Sequence, residues 1–123
     1  MNWREALRSA VASRAEWDAG TEQSEARRHG STPLAKCQVR QRIEVVGVLR
    51  SVTYPPAGTP PVLRADLYDG SDSVELIWQG RRRIAGIEPG RRVAVEGMLC
   101  EGGPARRERV LYNPAYRLMS SAA

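Results

Sequence analysis

Three aspartates, Asp66, Asp69 and Asp72, crowd the stretch DLYDGSDSVELIWQG at 66–80. Carboxylates this close together can hold a divalent cation or divide acid and base duties in hydrolysis. No lysine, histidine or serine joins them in a plausible catalytic set, and Asp69-Gly70 with Asp72 is what a tight turn between two strands uses. His29 is the only histidine and lies between Arg28 and Gly30 in a polar stretch, which suits a solvated linker residue. Cys37 and Cys100 stand alone, with no second ligand at metal spacing. No P-loop pattern occurs. These residues predict a protein that is not an enzyme, with no catalytic residue, no metal and no cofactor.

The remaining chemistry is that of arginine. Nineteen Lys plus Arg face fourteen acids, for a net charge of +5, and Lys36 is the single lysine. Residues 1–33 hold five Arg and five acids, so the whole surplus lies on the rest of the chain. The guanidinium fork suits phosphate and base edges, although a GC-rich genome also replaces Lys by Arg. Arg81-Arg82-Arg83 is the densest run: either a phosphate clamp or the solvated start of a short helix.

Elements to position these groups follow from hydropathy patterning. Asn2 and Glu5 form a capping-box pattern, and Trp3, Leu7, Ala10, Val11 and Trp17 share one stripe of a helix over residues 1–18. That helix docks onto the rest of the chain or onto another chain. Residues 19–33 lack periodicity and read as a polar linker, and 120–123 as a disordered tail.

Residues 38–53 alternate as a long strand, with Gly47 marking a bulge or bend. YPPAGTPP (54–61) is a proline-rich loop. In VLRADLYD, Leu63, Ala65 and Leu67 face one way and Arg64, Asp66 and Tyr68 the other. SVELIWQ sets Val74, Leu76 and Trp78 inward, with Glu75, Ile77 and Gln79 outward. Trp78 is therefore core by alternation, or alternatively a stacking platform near a strand end. A short helix fits between 81 and 87, and Glu88-Pro-Gly90 has the order of a type II turn. RRVAVEGMLC turns Val93 and Val95 inward. The last strand, RVLYNPAYRL, bends at Asn113-Pro114, with the Asn113 amide bonding local backbone and Tyr112 and Tyr116 packing. Cys37 and Cys100 flank strands that pair, so their thiols can approach, reduced in a cytosol.

The expected fold is mainly β: a five-stranded Greek-key barrel of the OB-fold type over residues 34–119. It has a short helix between its third and fourth strands and an N-terminal α-helix. Forty-one per cent hydrophobic and 27% charged residues suit one globular domain. No window approaches a membrane span, and Arg4, Glu5 and Glu16 argue against a secretory signal, so the expected location is cytoplasmic.

Val45, Gly47 and Leu49 in V-x-G-x-L, L-Y-D-G at 67–70, W-Q-G at 78–80, I-E-P-G-R-R-V-x-V-x-G at 87–97 and Y-N-P-A-Y at 112–116 resemble the OB-fold nucleic-acid-binding domains. The last two segments are similar to the OB wedge domain of the bacterial branched-DNA helicase. The chain looks closer still to small stand-alone OB-fold proteins of actinobacteria. The resemblance implies binding of single-stranded or branched DNA, or RNA, weakly specific and salt-sensitive, with no small-molecule substrate and no membrane.

Mapped on such a barrel, the nucleic-acid site comprises Arg50, Tyr54, Arg64, Tyr68, Arg81, Arg82, Arg83, Arg106 and Arg107. Asp66 and Glu75 on its floor repel phosphate unless Arg50 and Arg64 neutralise them. The alternative is a protein-docking or self-association module using the face of the second and third strands together with Trp3, Leu7 and Trp17.

Overall fold

A computed structural model of the protein describes residues 32–103 and 108–120. The expected helix with Trp3, Leu7 and Trp17, nearly all of the linker, Arg106 and Arg107, and the last three residues lie outside the described residues. Among the described residues no helix is long and apolar enough to cross a membrane.

Six strands form one sheet: β1 (Arg42–Thr53), β2 (Val62–Tyr68), β3 (Ser73–Gln79), β4 (Arg92–Cys100), β5 (Val110–Tyr112) and β6 (Ala115–Leu118). Hydrogen bonding runs β1-β2-β3-β5-β4 and returns from β4 to β1, so five strands make a ring. The β3–β5 pair is parallel, and the other pairs are antiparallel. β6 continues along β4 past β5.

The ring closes around one core because alternation holds on every long strand. Leu63, Leu67, Val74, Leu76, Val93 and Val95 are all buried. Trp78 joins them, and its indole Nε1 donates to the Pro114 carbonyl at 3.0 Å, which rules out the stacking role. A 3-10 turn, Leu34–Lys36, adds Leu34 to the same core.

β1 serves both sides of the ring. Its residues 42–48 pair with β4 and 48–53 with β2, so Val48 has partners on both strands. The pairing irregularity falls between Leu49 and Ser51, at Arg50, rather than at Gly47. Gly47 instead permits a close backbone approach, since a Cβ there would stand 2.5 Å from the Tyr68 carbonyl oxygen.

Two expectations need correction here. Residues between β3 and β4 form no helix. Gly80, Gly86 and Gly90 all have positive φ and segment the connection into turns, while Ile84 and Ile87 plug the core. Glu88-Pro-Gly90 is the turn anticipated, with Gly90 at φ +88° and the Arg91 amide donating to the Glu88 carbonyl at 3.1 Å. The last strand is two strands, because Asn113 adopts φ +49° and Pro114 has no N–H to give. Cys37 and Cys100 are free thiols. Burial pushes the Cys37 thiol pKa up, partly offset by Arg109, which favours the unreactive protonated form.

Candidate nucleic-acid interface

The outer face of β1, β2, β3 and β5 is ruled into rows by the strand register. One row holds Val48, Tyr68 and Ser73; the next Ser51, Asp66, Glu75 and Val110; the next Thr53, Arg64, Ile77 and Tyr112. Arg50, displaced by the irregularity in β1, lays its guanidinium 3.5 Å from the Tyr68 ring centroid. That is a stacked cation–π contact, with the phenol also donating to the Gly70 carbonyl at 3.3 Å.

The middle row is acidic and internally compensated. Arg64 Nη1 donates to Glu75 Oε1 at 3.1 Å, and the Glu75 side chain is only 14% exposed. Asp66 Oδ1 is buried with no hydrogen-bond partner among the described residues. Burial raises the Asp66 pKa, Arg50 and hydrogen bonding with Glu108 offset part of the rise, and Glu75 adds to it. Glu108 is raised as well, first by burial, then by the charges of Asp66 and Glu75 and by its hydrogen bond to Asp66. Glu108 is absent from the site expected from sequence, because the loop at 101–109 has no periodicity that could place it over this face. Among the described residues no three acidic, histidine or cysteine side chains converge as metal ligands do.

The pair has a consequence for stability. A carboxyl whose pKa is raised by folding binds its proton more tightly in the native state, so stability falls as pH rises through the raised value. Asp66→Asn removes that penalty. Its melting temperature should match the wild type at a pH below the unperturbed carboxylate range, where folded and unfolded chains both carry the proton, and exceed it by a few degrees at pH 8. An equal difference at both pH values, or a less stable variant at pH 8, contradicts the assignment.

The opposite end of the face is basic and aromatic. The proline-rich loop after β1 is tied back on itself by Thr59 Oγ1 donating to the Pro56 carbonyl at 2.6 Å. It is joined to the segment after β3 by the Gly80 amide on the Pro61 carbonyl at 2.7 Å and Arg82 Nη2 on the Thr59 carbonyl at 2.6 Å. These ties hold Tyr54, which is 42% exposed, with the Arg83 guanidinium 5.7 Å from its ring centroid. Arg81 is exposed beside them.

No family model matches the chain, and no curated protein does.

Of the residues singled out from sequence, Arg50 and Tyr68 meet each other, as do Tyr54 and Arg83, while Arg64 is engaged by Glu75. Arg82 is occupied in holding the loop. Ile77 points outward as expected but is buried, placed between Arg64 on β2 and Tyr112 on β5. Tyr112 and Tyr116 do not pack away: they are 48% and 40% exposed, although Tyr116 meets Trp78 edge-on at 5.9 Å. Tyr112 adds an aromatic ring to the face beyond those expected from sequence, and its signal is the parallel pairing of β5 with β3. The Asn113 amide bonds across the fold instead of locally: Oδ1 accepts from the Gln79 amide at 2.8 Å, and Nδ2 donates to Gln79 Oε1 at 3.1 Å. The backbone positive φ that breaks the strand also turns this side chain toward β3.

Proposed function

We propose that this chain is a non-catalytic OB-fold module that binds single-stranded or branched nucleic acid, DNA or RNA, with little sequence preference and strong salt sensitivity. The strand ring β1-β2-β3-β5-β4 with its parallel β3–β5 pair supports the OB-fold assignment and the resemblance to nucleic-acid-binding OB domains. The observation that carries the function is the exposed Tyr54–Arg83 pair at the end of a face that also presents Tyr112. Aromatic rings beside guanidinium groups offer bases a surface to stack on and phosphates a counter-charge. Four neighbouring strands, from Thr53 to Tyr112, span about 14 Å at the usual strand spacing, wide enough for more than one base.

This reading shifts the grip away from the middle row. Asp66, Glu75 and Glu108 make that half unsuited to phosphate, so Arg50 and Tyr68 contribute less than Tyr54, Arg81 and Arg83. The mixed charges of that half favour a second reading, a face that docks a protein.

Fluorescent single-stranded oligonucleotides distinguish the two. Binding should weaken steeply with salt, and Arg81→Glu with Arg83→Glu should lower affinity at least about ten-fold and flatten the salt slope. Tyr54→Ala should lower affinity by about 1–3 kcal/mol while leaving the salt slope unchanged, because stacking releases no counterions. Absence of binding at low salt removes the nucleic-acid reading and leaves the docking one.

A further inference from the structure

Asn113 and Gln79 lock their amides together on the surface. Both residues are exposed. The Gln79 backbone N–H donates to Asn113 Oδ1 at 2.8 Å, and Asn113 Nδ2 donates to Gln79 Oε1 at 3.1 Å. The first bond serves the strand break, since it satisfies the backbone where β3 ends. The second satisfies no backbone group. It orders a glutamine side chain that water would otherwise solvate, at a cost in rotamer freedom.

The two bonds fix which way each amide points. A backbone N–H only donates, so the Asn113 oxygen faces it and the Asn113 nitrogen faces the Gln79 side chain. That nitrogen also only donates, so Gln79 Oε1 turns toward Asn113 and Nε2 turns away. Both N–H groups of Nε2 are left without a partner among the described residues. Their position ties them to the candidate interface. Gln79 lies two residues beyond Ile77 on the outer face of β3, about 7 Å along the strand. Exposed Tyr112 is the partner of Ile77 on β5. Gly80, the next residue, bonds to the loop that holds Tyr54, and exposed Arg81 follows.

We infer that Gln79 reads a nucleobase stacked on Tyr112, and that the base is guanine. The inference rests on the nucleic-acid reading above and adds one discriminated position to a site otherwise indifferent to sequence. Two neighbouring N–H donors match two neighbouring acceptors. Guanine presents O6 and N7 side by side on one edge, whereas adenine sets an amino donor beside its N7 and meets Nε2 donor to donor. On thymine, O4 stands beside a methyl group. Cytosine has an acceptor pair at N3 and O2 but only a single ring to lay on Tyr112, so its gain is smaller. Asn113 is a positioning residue, setting the polarity of the group that meets the base.

Fluorescence anisotropy of the full chain with oligothymidylates carrying one guanine, adenine or cytosine tests this. The guanine oligonucleotide should bind about five-fold or more tightly than the adenine or all-thymine ones. Replacing guanine by 7-deazaguanine, which lacks the N7 acceptor, should remove most of that gain. Gln79→Met deletes the donors at similar volume and should level the bases. Asn113→Asp is the sharper variant: its second oxygen accepts, so the Gln79 amide turns over and presents Oε1 outward. The added charge weakens every oligonucleotide, but adenine should then bind at least as well as guanine. The Trp78 indole N–H signal, through its bond to the Pro114 carbonyl, reports that each variant keeps the fold. If Asn113→Asp disturbs that signal, Gln79→Met decides alone. Equal affinity for all bases in the wild type, a preference for cytosine, or a guanine preference that survives Gln79→Met overturns the inference and leaves the nucleic-acid reading standing. Absence of binding to every oligonucleotide at low salt removes both.

Discussion

Asp69→Ala should lower the unfolding free energy by about 3 kcal/mol or more, a large part of what a domain of this size possesses. Asp69 is 1% exposed, and both of its oxygens are engaged. Oδ1 accepts from the Ser71 amide at 2.8 Å, the Ser71 hydroxyl at 2.7 Å and the Asp72 amide at 3.0 Å; Oδ2 accepts from the Leu34 amide at 2.8 Å. The first three bonds shape the turn between β2 and β3. The fourth reaches 35 residues back and fixes the 3-10 turn that carries Leu34 into the core.

Arg109 clasps the same turn from the other side. Its Nη1 donates to the Cys37 carbonyl at 2.6 Å, and its Nη2 donates to the Leu34 carbonyl at 2.8 Å and to Asp72 Oδ2 at 3.0 Å. Removing the Asp69 carboxylate strands a buried amide at Leu34 and loosens what Arg109 holds. Donors at Ser71 and Asp72 can turn to water, so the Leu34 amide accounts for most of the loss. Asp69→Asn keeps one acceptor for the turn but offers an amide group where Leu34 needs an acceptor, so it should fall between the wild type and Asp69→Ala. Denaturant titration reads both. A loss below 1 kcal/mol for Asp69→Ala would show that the clasp is not what anchors residues 34–36.

The two roles of Asp69 divide what sequence reveals from what it conceals. Asp-Gly-Ser-Asp between two alternating runs announces a turn, because the side chain satisfies its own backbone a few residues away. Its fourth bond has no local signature. Arg109 likewise reads only as the start of a strand. The same division runs through the rest of the molecule. Leu63, Ala65, Leu67, Val74, Leu76 and Trp78 are inward as period-2 alternation requires, since strand geometry alone sets the side. Alternation names a face without saying what lies beside it, so it puts Ile77 on the outer face, where it is, and gives no hint of its burial.

Glycines mislead for a related reason. Between β3 and β4 the apolar Ile84 and Ile87 suggest a helical turn, but Gly80, Gly86 and Gly90 each take a positive φ that ends any helix before it forms a second turn. The candidate site is legible in its parts: Tyr54, Arg64, Tyr68 and the arginine triplet. Its division into a basic end and an acidic middle is not, because Glu108 comes from a loop and Arg50 is turned by an irregularity that no local pattern marks.

Gly47→Ala should be the most damaging single-methyl change in β1, by about 2–4 kcal/mol. The added Cβ would stand 2.5 Å from the Tyr68 carbonyl oxygen, 2.9 Å from the Tyr68 carbonyl carbon and 3.3 Å from Asp69 Cα. All three are backbone atoms, so no side-chain rotation relieves the contact. One strand pairs with β4 up to Val48 and with β2 from Val48 onward, and Gly47 stands where it crosses from one to the other. The methyl group must push β2 away at the point where Tyr68 leads into the Asp69 clasp, so the loss should exceed that of ordinary overpacking. Gly103→Ala is the control, with open space around its Cβ and no positive φ; it removes the same backbone freedom from the unfolded chain without a collision and should be neutral or slightly stabilising. Denaturation midpoints of the two variants separate sterics from entropy. Equal midpoints would mean that the approach of β1 to Tyr68 yields easily and that Gly47 does not set the path of the strand. A selective loss in Gly47→Ala, together with displaced Tyr68 ring signals, ties the crossing of β1 to the position of the Arg50–Tyr68 stack.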